Sequence, residues 1–223
     1  MKNDYLYNTE IITINGLIVR ILIPDCSGPH PVIIMLHGWT GNEDSMWIFS
    51  GRLPGETLLV SPRGIFEYGS GGYGWLEDLN YELPNLERFK PAVEGLFPLF
   101  ERINDYGGDK SKISILGFSQ GAALGYTLGL LKPGAIRSIA GLSGFLPENF
   151  ELFVDDQPLA GKRIFIAHGT RDQYVRVEKA RESVNLLQKA GADVTYCEDD
   201  VGHKLSIYCF RSLRNFYKME SIK

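Results

Sequence analysis

The sequence predicts an α/β fold, with a mostly parallel central sheet flanked by helices and preceded by an antiparallel hairpin. Three observations carry this prediction. Short apolar, β-branched runs alternate with longer helix-compatible segments along most of the 223 residues. Several of those runs, Pro31–Leu36 among them, are apolar throughout, as strands covered on both faces of a parallel sheet are. The third is Gly117-Phe118-Ser119-Gln120-Gly121, a G-x-S-x-G pentapeptide between one such run and a proline-free apolar segment. That context is a sharp strand-to-helix turn, in which small residues two before and two after the serine leave its hydroxyl exposed.

The elements follow in order. Ile11–Ile14 and Leu17–Ile23 form a hairpin that turns near Asn15-Gly16. Pro31–Leu36 and Thr57–Ser61 are strands, followed by a loop dense in glycine and aromatics from Phe66 to Trp75. Pro84 to about Asn104 has amphipathic helical spacing, interrupted by Pro91 and Gly95. Lys112–Leu116 is the strand before the pentapeptide, and Ala122–Leu131 continues the helix after it. Arg137–Ser143 and Lys162–Ala167 are further strands; Val175–Ala190 is a helix that stops at Gly191. Asp193–Cys197 is a last strand and Leu205 to about Met219 a last helix. No repeat or linker divides residues 1–223, so one domain is expected. The connection from Gly144 to Gly161 is too short for a separate cap domain.

Composition excludes several classes. The chain is 44% hydrophobic and 22% charged with a net charge of −4, so no basic patch points to nucleic acid. Met1–Glu10 lacks the apolar core of a signal peptide, and no run is long and apolar enough for a transmembrane segment. Cys26, Cys197 and Cys209 are odd in number and scattered. They read as free thiols in a reducing compartment, so a cytoplasmic protein is expected. They lack metal-type spacing, and neither a metal nor another cofactor is expected.

A serine hydroxyl needs a base before it can act as a nucleophile. Of the four histidines, His203 lies between the last strand and the last helix. Loops at the carboxyl ends of parallel strands share one edge of the sheet, so His203 can reach Ser119. The base needs an acid to hold its tautomer. Asp172, just past the strand ending at Ala167, completes the chain order Ser, Asp, His; Asp199 and Asp200 are rivals by proximity. A tetrahedral intermediate needs two preorganised N–H donors, for which the backbone amides of Gln120 and Trp39 are the candidates. His37 reads as a structural residue of the turn that carries Trp39.

Together these pieces resemble the α/β-hydrolase superfamily, and within it the phospholipase/carboxylesterase family that includes the acyl-protein thioesterases. The resemblance runs from about Val32 to the last helix. It rests on Leu36-His37-Gly38, the pentapeptide in its G-F-S-Q-G form, His168-Gly169-Thr170-Arg171-Asp172 and Gly202-His203. Ser61-Pro62-Arg63-Gly64 followed by Gly71-Gly72-Tyr73-Gly74-Trp75 is similar to small bacterial esterases of the family, in which the tryptophan loop lies beside the active site. Two positions depart: Trp39-Thr40-Gly41 stands where acyl-protein thioesterases have Leu-Gly-Asp, and Arg176 stands where many relatives have proline.

The resemblance implies a serine carboxylesterase with catalytic Ser119, Asp172 and His203 and a small-molecule ester as substrate. Thioester or lysophospholipid hydrolysis by the same mechanism is the alternative. A non-catalytic binding protein on the same fold is a further one, as is a dienelactone-type hydrolase, against which the serine at 119 counts. Tyr73, Trp75, Leu76, Phe145 and Leu146, with the Trp39 side chain, are expected to face the substrate. Arg63 is expected to hold the glycine-rich loop through a salt bridge. Monomer and homodimer are both open.

Overall fold

The computed structural model describes residues 9–78 and 83–221, the side chains of 219–221 excepted. The hairpin pairs β1 (Thr9–Ile14) with β2 (Leu17–Leu22). It turns on Asn15 and Gly16, whose φ angles of 48° and 86° are those of a type I′ turn, open to Asn-Gly at little cost. The remaining strands are β3 (His30–Leu36), β4 (Leu58–Pro62), the short β5 (Phe66–Glu67) and β6 (Tyr73–Gly74), β7 (Gly108–Phe118), β8 (Ser138–Leu142), β9 (Arg163–Gly169) and β10 (Asp193–Asp199). The helices are α1 (Lys90–Arg102), α2 (Gln120–Leu131), α3 (Val177–Lys189) and α4 (Ile207–Ser221).

Among the described residues the main sheet has eight strands in the order β1-β2-β4-β3-β7-β8-β9-β10. β4, β3, β7, β8, β9 and β10 are mutually parallel, and β2 joins them antiparallel to β4. This is the mostly parallel α/β-hydrolase sheet with an N-terminal antiparallel hairpin. Because side chains alternate along a strand, β3 feeds two cores. Val32, Ile34 and Leu36 pack in one with Leu96 of α1, Leu128 of α2 and Leu187 of α3. Ile33 and Met35 pack in the other with Leu213 and Phe216 of α4 and with Met46 and Phe49.

Met46 and Phe49 belong to a 3₁₀ segment, Ser45–Arg52, between β3 and β4. The helix expected from Pro84 to Asn104 is broken into a 3₁₀ turn at Leu86–Phe89, α1, and a second 3₁₀ turn at Ile103–Tyr106. Pro91 stands in the first turn of α1, where its missing N–H costs nothing. The Gly144–Gly161 connection carries a short 3₁₀ turn at Phe150–Phe153.

The cysteine expectation is overturned. Cys197, at the end of β10, is bonded to Cys209 in the first turn of α4, with Cα atoms 5.7 Å apart; Cys26 is the free and exposed one. Spacing along the chain does not show that a strand end and the following helix return side by side.

Candidate active site

The turn between β7 and α2 is built by sterics. A Cβ on Gly117 would collide with the Gly121 carbonyl, and one on Gly121 with the carbonyls of Leu36 and His37. Ser119 itself is held at φ 53°, ψ −117°, a region costly for a residue with a side chain. Its N–H donates to Leu142 O at 2.8 Å, and its carbonyl accepts from Ala122 N at 3.0 Å. The flanking strand and the first turn of α2 thus pin a conformation that an isolated peptide would leave.

Asp172 and His203 are brought together from loops that follow β9 and β10. His203 Nδ1 lies 2.6 Å from Asp172 Oδ2, and the carboxylate is fully buried. A carboxylate only accepts, so Nδ1 carries the proton and Nε2 keeps its lone pair. Asp172 Oδ1 accepts from the amides of Tyr174 and Val175 at 2.9 and 3.0 Å, so the acid also shapes its own turn. The His203 ring packs edge-on against Phe118, centroids 4.9 Å apart, with Tyr174 at 5.2 Å. That contact sets His203 beside the residue preceding Ser119.

The rival acids are engaged elsewhere. Asp200 pairs with Arg171 at 2.7 Å, and Asp199 accepts from the Asp200 amide at 2.8 Å. A neighbour that sequence reasoning passed over is His168, whose Nε2 donates to Val175 O at 2.8 Å and stands 3.5 Å from Asp172 Oδ2. It steadies the acid's turn from below.

The loop after β3 lies against the turn at Ser119. A Cβ on Gly38 would stand 3.4 Å from that of Ser119. His37 is fully buried, and both ring nitrogens are used. Nε2 accepts from Gly64 N at 2.8 Å, so Nδ1 is the one that donates, to Gly38 O at 2.7 Å. Burial pushes its pKa down from the ordinary 6.5. The loop is buttressed from behind: Trp75 Nε1 donates to His37 O and Trp75 N to Gln120 Oε1, both at 2.8 Å, and Tyr73 N donates to Gly41 O. Arg63 makes a two-pronged ion pair with Glu43 at 2.6 Å and lies over the Tyr73 ring, holding the glycine-rich loop as expected.

The residues expected to face substrate lie elsewhere in the fold. Trp75 is fully buried, its indole turned inward because the His37 carbonyl needs a donor. Leu76, Phe145 and Leu146 are buried in the core on the α1–α3 face, and Tyr73 is tied to Arg63. An open apolar cleft of about 570 Å³ lies instead against Gly38 and Phe118. It runs between the loop carrying Trp39, the Ser45–Arg52 segment and the start of α4, and Phe118 and Lys204 line it too. Of the aromatics singled out, only Trp39, half exposed, lines it. The signal available in the sequence was the run Met46-Trp47-Ile48-Phe49 between two charged residues.

A mostly parallel eight-stranded sheet, a strained serine at the end of a central strand and a buried Asp–His pair define an α/β hydrolase. The chain belongs to the phospholipase/carboxylesterase family, whose model matches residues 21–221. It is 28% identical over 180 residues to acyl-protein thioesterase 1 of Debaryomyces hansenii, covering 71% of this chain and 77% of the relative. It is 31% identical over 212 residues to acyl-protein thioesterase 1 of Emericella nidulans, covering 78% and 83%. The fold is that of the Bacillus cereus carboxylesterase crystal structure, with a TM-score of 0.81 and 23% identity over 92% of this chain and 95% of that one. Among the described residues no helix is long and apolar enough to cross a membrane.

Proposed function

We propose that the protein is a serine carboxylesterase that hydrolyses small-molecule carboxylic esters through an acyl-enzyme on Ser119. The observation that carries this reading is the 2.6 Å contact of His203 Nδ1 with Asp172, which leaves the Nε2 lone pair to act as a base, in a ring packed on Phe118, the neighbour of Ser119. His203 Nε2 takes the Ser119 proton as Oγ attacks the ester carbonyl. The backbone amides of Gln120, first residue of α2, and of Trp39, beside Gly38, hold the resulting oxyanion. His203 gives the proton to the leaving alcohol as the tetrahedral intermediate collapses. Water, deprotonated by the same Nε2, then attacks the acyl-enzyme and releases the acid.

The acyl part of the substrate lies in the cleft between Trp39, the Ser45–Arg52 segment and α4. A thioester would follow the same steps, with a thiol as leaving group. The named thioesterase relatives favour this as the second reading. The cytoplasmic setting expected from free thiols loses that argument, because a Cys197–Cys209 bond persists best in an oxidising compartment.

The test is hydrolysis of short p-nitrophenyl esters by the wild type and Ser119→Ala, with labelling by a fluorophosphonate probe. Turnover and labelling that both vanish in a folded Ser119→Ala protein support the assignment. Undiminished turnover by that variant would overturn it. A folded wild type inert to probe and esters would leave a binding protein on the hydrolase fold.

A further inference from the structure

The apolar cleft beside Ser119 carries charge of one sign only. Its lining includes two cationic side chains, Arg52 and Lys204, and no Asp or Glu, although the chain as a whole is acidic at −4. Among the described residues neither cation has an acidic partner within salt-bridge distance. Most other arginines near the site are paired: Arg63 with Glu43, Arg20 with Asp44 and Arg171 with Asp200.

The two cations reach the cleft from different segments of the chain. Lys204 follows His203 directly. Arg52 closes the 3₁₀ segment that begins at Ser45, roughly 14 Å along it at the usual rise of such a helix. The Arg52 guanidinium is held 5.1 Å from the centroid of the Phe210 ring, which stacks on Phe49 at 6.1 Å. Phe210 stands in the first turn of α4, seven residues after His203. The rest of the wall is largely apolar, lined by Trp39, Phe49, Ile207 and Phe210.

We infer that the preferred substrates are esters whose acyl chain ends in an anion, the monoesters of medium-length dicarboxylic acids being the simplest case. The chain lies along the apolar wall and its terminal carboxylate meets Arg52. A neutral fatty acyl chain satisfies the wall but leaves this guanidinium without an anion; a short acid does not reach it. The inference rests on Ser119 being the nucleophile at the mouth of the cleft.

The p-nitrophenyl monoester of suberic acid and p-nitrophenyl octanoate have acyl chains of equal length and differ in the terminal charge. Wild-type kcat/KM is expected to favour the suberate monoester about fivefold, the scale of one solvent-accessible charge pair, with the preference shrinking as salt is added. Arg52→Gln is expected to abolish the preference, read as the suberate-to-octanoate ratio of kcat/KM within each variant, and Arg52→Lys to retain part of it. A wild type that prefers octanoate, or a preference that survives in Arg52→Gln, overturns the inference.

Binding separates it from the esterase assignment. In the Ser119→Ala background, monomethyl suberate is titrated against Trp fluorescence with and without Arg52→Gln. Weakening of about fivefold supports the anion site even if Ser119 proves inert. Equal binding overturns it even if Ser119 is confirmed as the nucleophile.

Discussion

Asp172 divides its two carboxylate oxygens between His203 and its own turn: Oδ2 takes the His203 Nδ1 proton at 2.6 Å, while Oδ1 takes the amides of Tyr174 and Val175. One side chain therefore sets both the tautomer of His203 and the path of its own turn. Asparagine can keep the second function through its carbonyl oxygen but offers an N–H where His203 needs an acceptor.

Asp172→Asn is accordingly expected to fold, with a Tm within a few degrees of the wild type, and to lose about 10³–10⁴ in kcat at neutral pH. Circular dichroism and ester hydrolysis measured on the same preparation check both halves. Retention of most activity would mean that another carboxylate serves His203.

The disulfide closes a segment containing His203, because Cys197 and Cys209 flank it on β10 and α4. Closing a loop of this length contributes about 3 kcal/mol, chiefly by restricting the unfolded chain. Cys197→Ser with Cys209→Ser is expected to lower denaturant stability by that order and to raise amide exchange across residues 200–206. An unchanged midpoint after this double substitution would contradict the pairing, and peptide mapping without reduction tests it directly.

A pH dependence follows from His37. Its pKa is held below 6.5 by burial, and its Nε2 lone pair is already occupied by the Gly64 amide. The unfolded chain therefore takes up a proton at His37 below pH 6.5 that the folded chain refuses. Stability is complete above that value and falls as pH drops through it, by at most about 1.4 kcal/mol per pH unit. Glu43 is pulled below its usual 4.5, first by its hydrogen bond to Arg63, so its contribution is lost only in a more acidic window. Urea midpoints that stay flat between pH 7 and 5.5 would contradict the assignment of His37.

The parts legible in the sequence were those set by local rules. Alternating apolar runs and helical spacing are local, so the strands and helices stood out; so was the pentapeptide, whose two glycines are dictated by collisions with β3 and α2. The approach of Asp172 to His203 follows because parallel strands deliver their following loops to one edge. What was not legible depends on which way a side chain turns. Trp75 was taken for a substrate contact, yet a buried carbonyl at His37 draws its indole inward. The Ser45–Arg52 segment escaped because two turns of 3₁₀ helix lack the length for a periodic signal. Missing that segment meant missing the wall of the cleft.

Phe118, the residue before Ser119, touches both sides of the site: its ring lines the cleft and packs against His203. A ligand seated in the cleft therefore leans on the same ring that steadies the imidazole. On the proposed mechanism, the fit of a chain in the cleft is felt at the imidazole through the aromatic at 118.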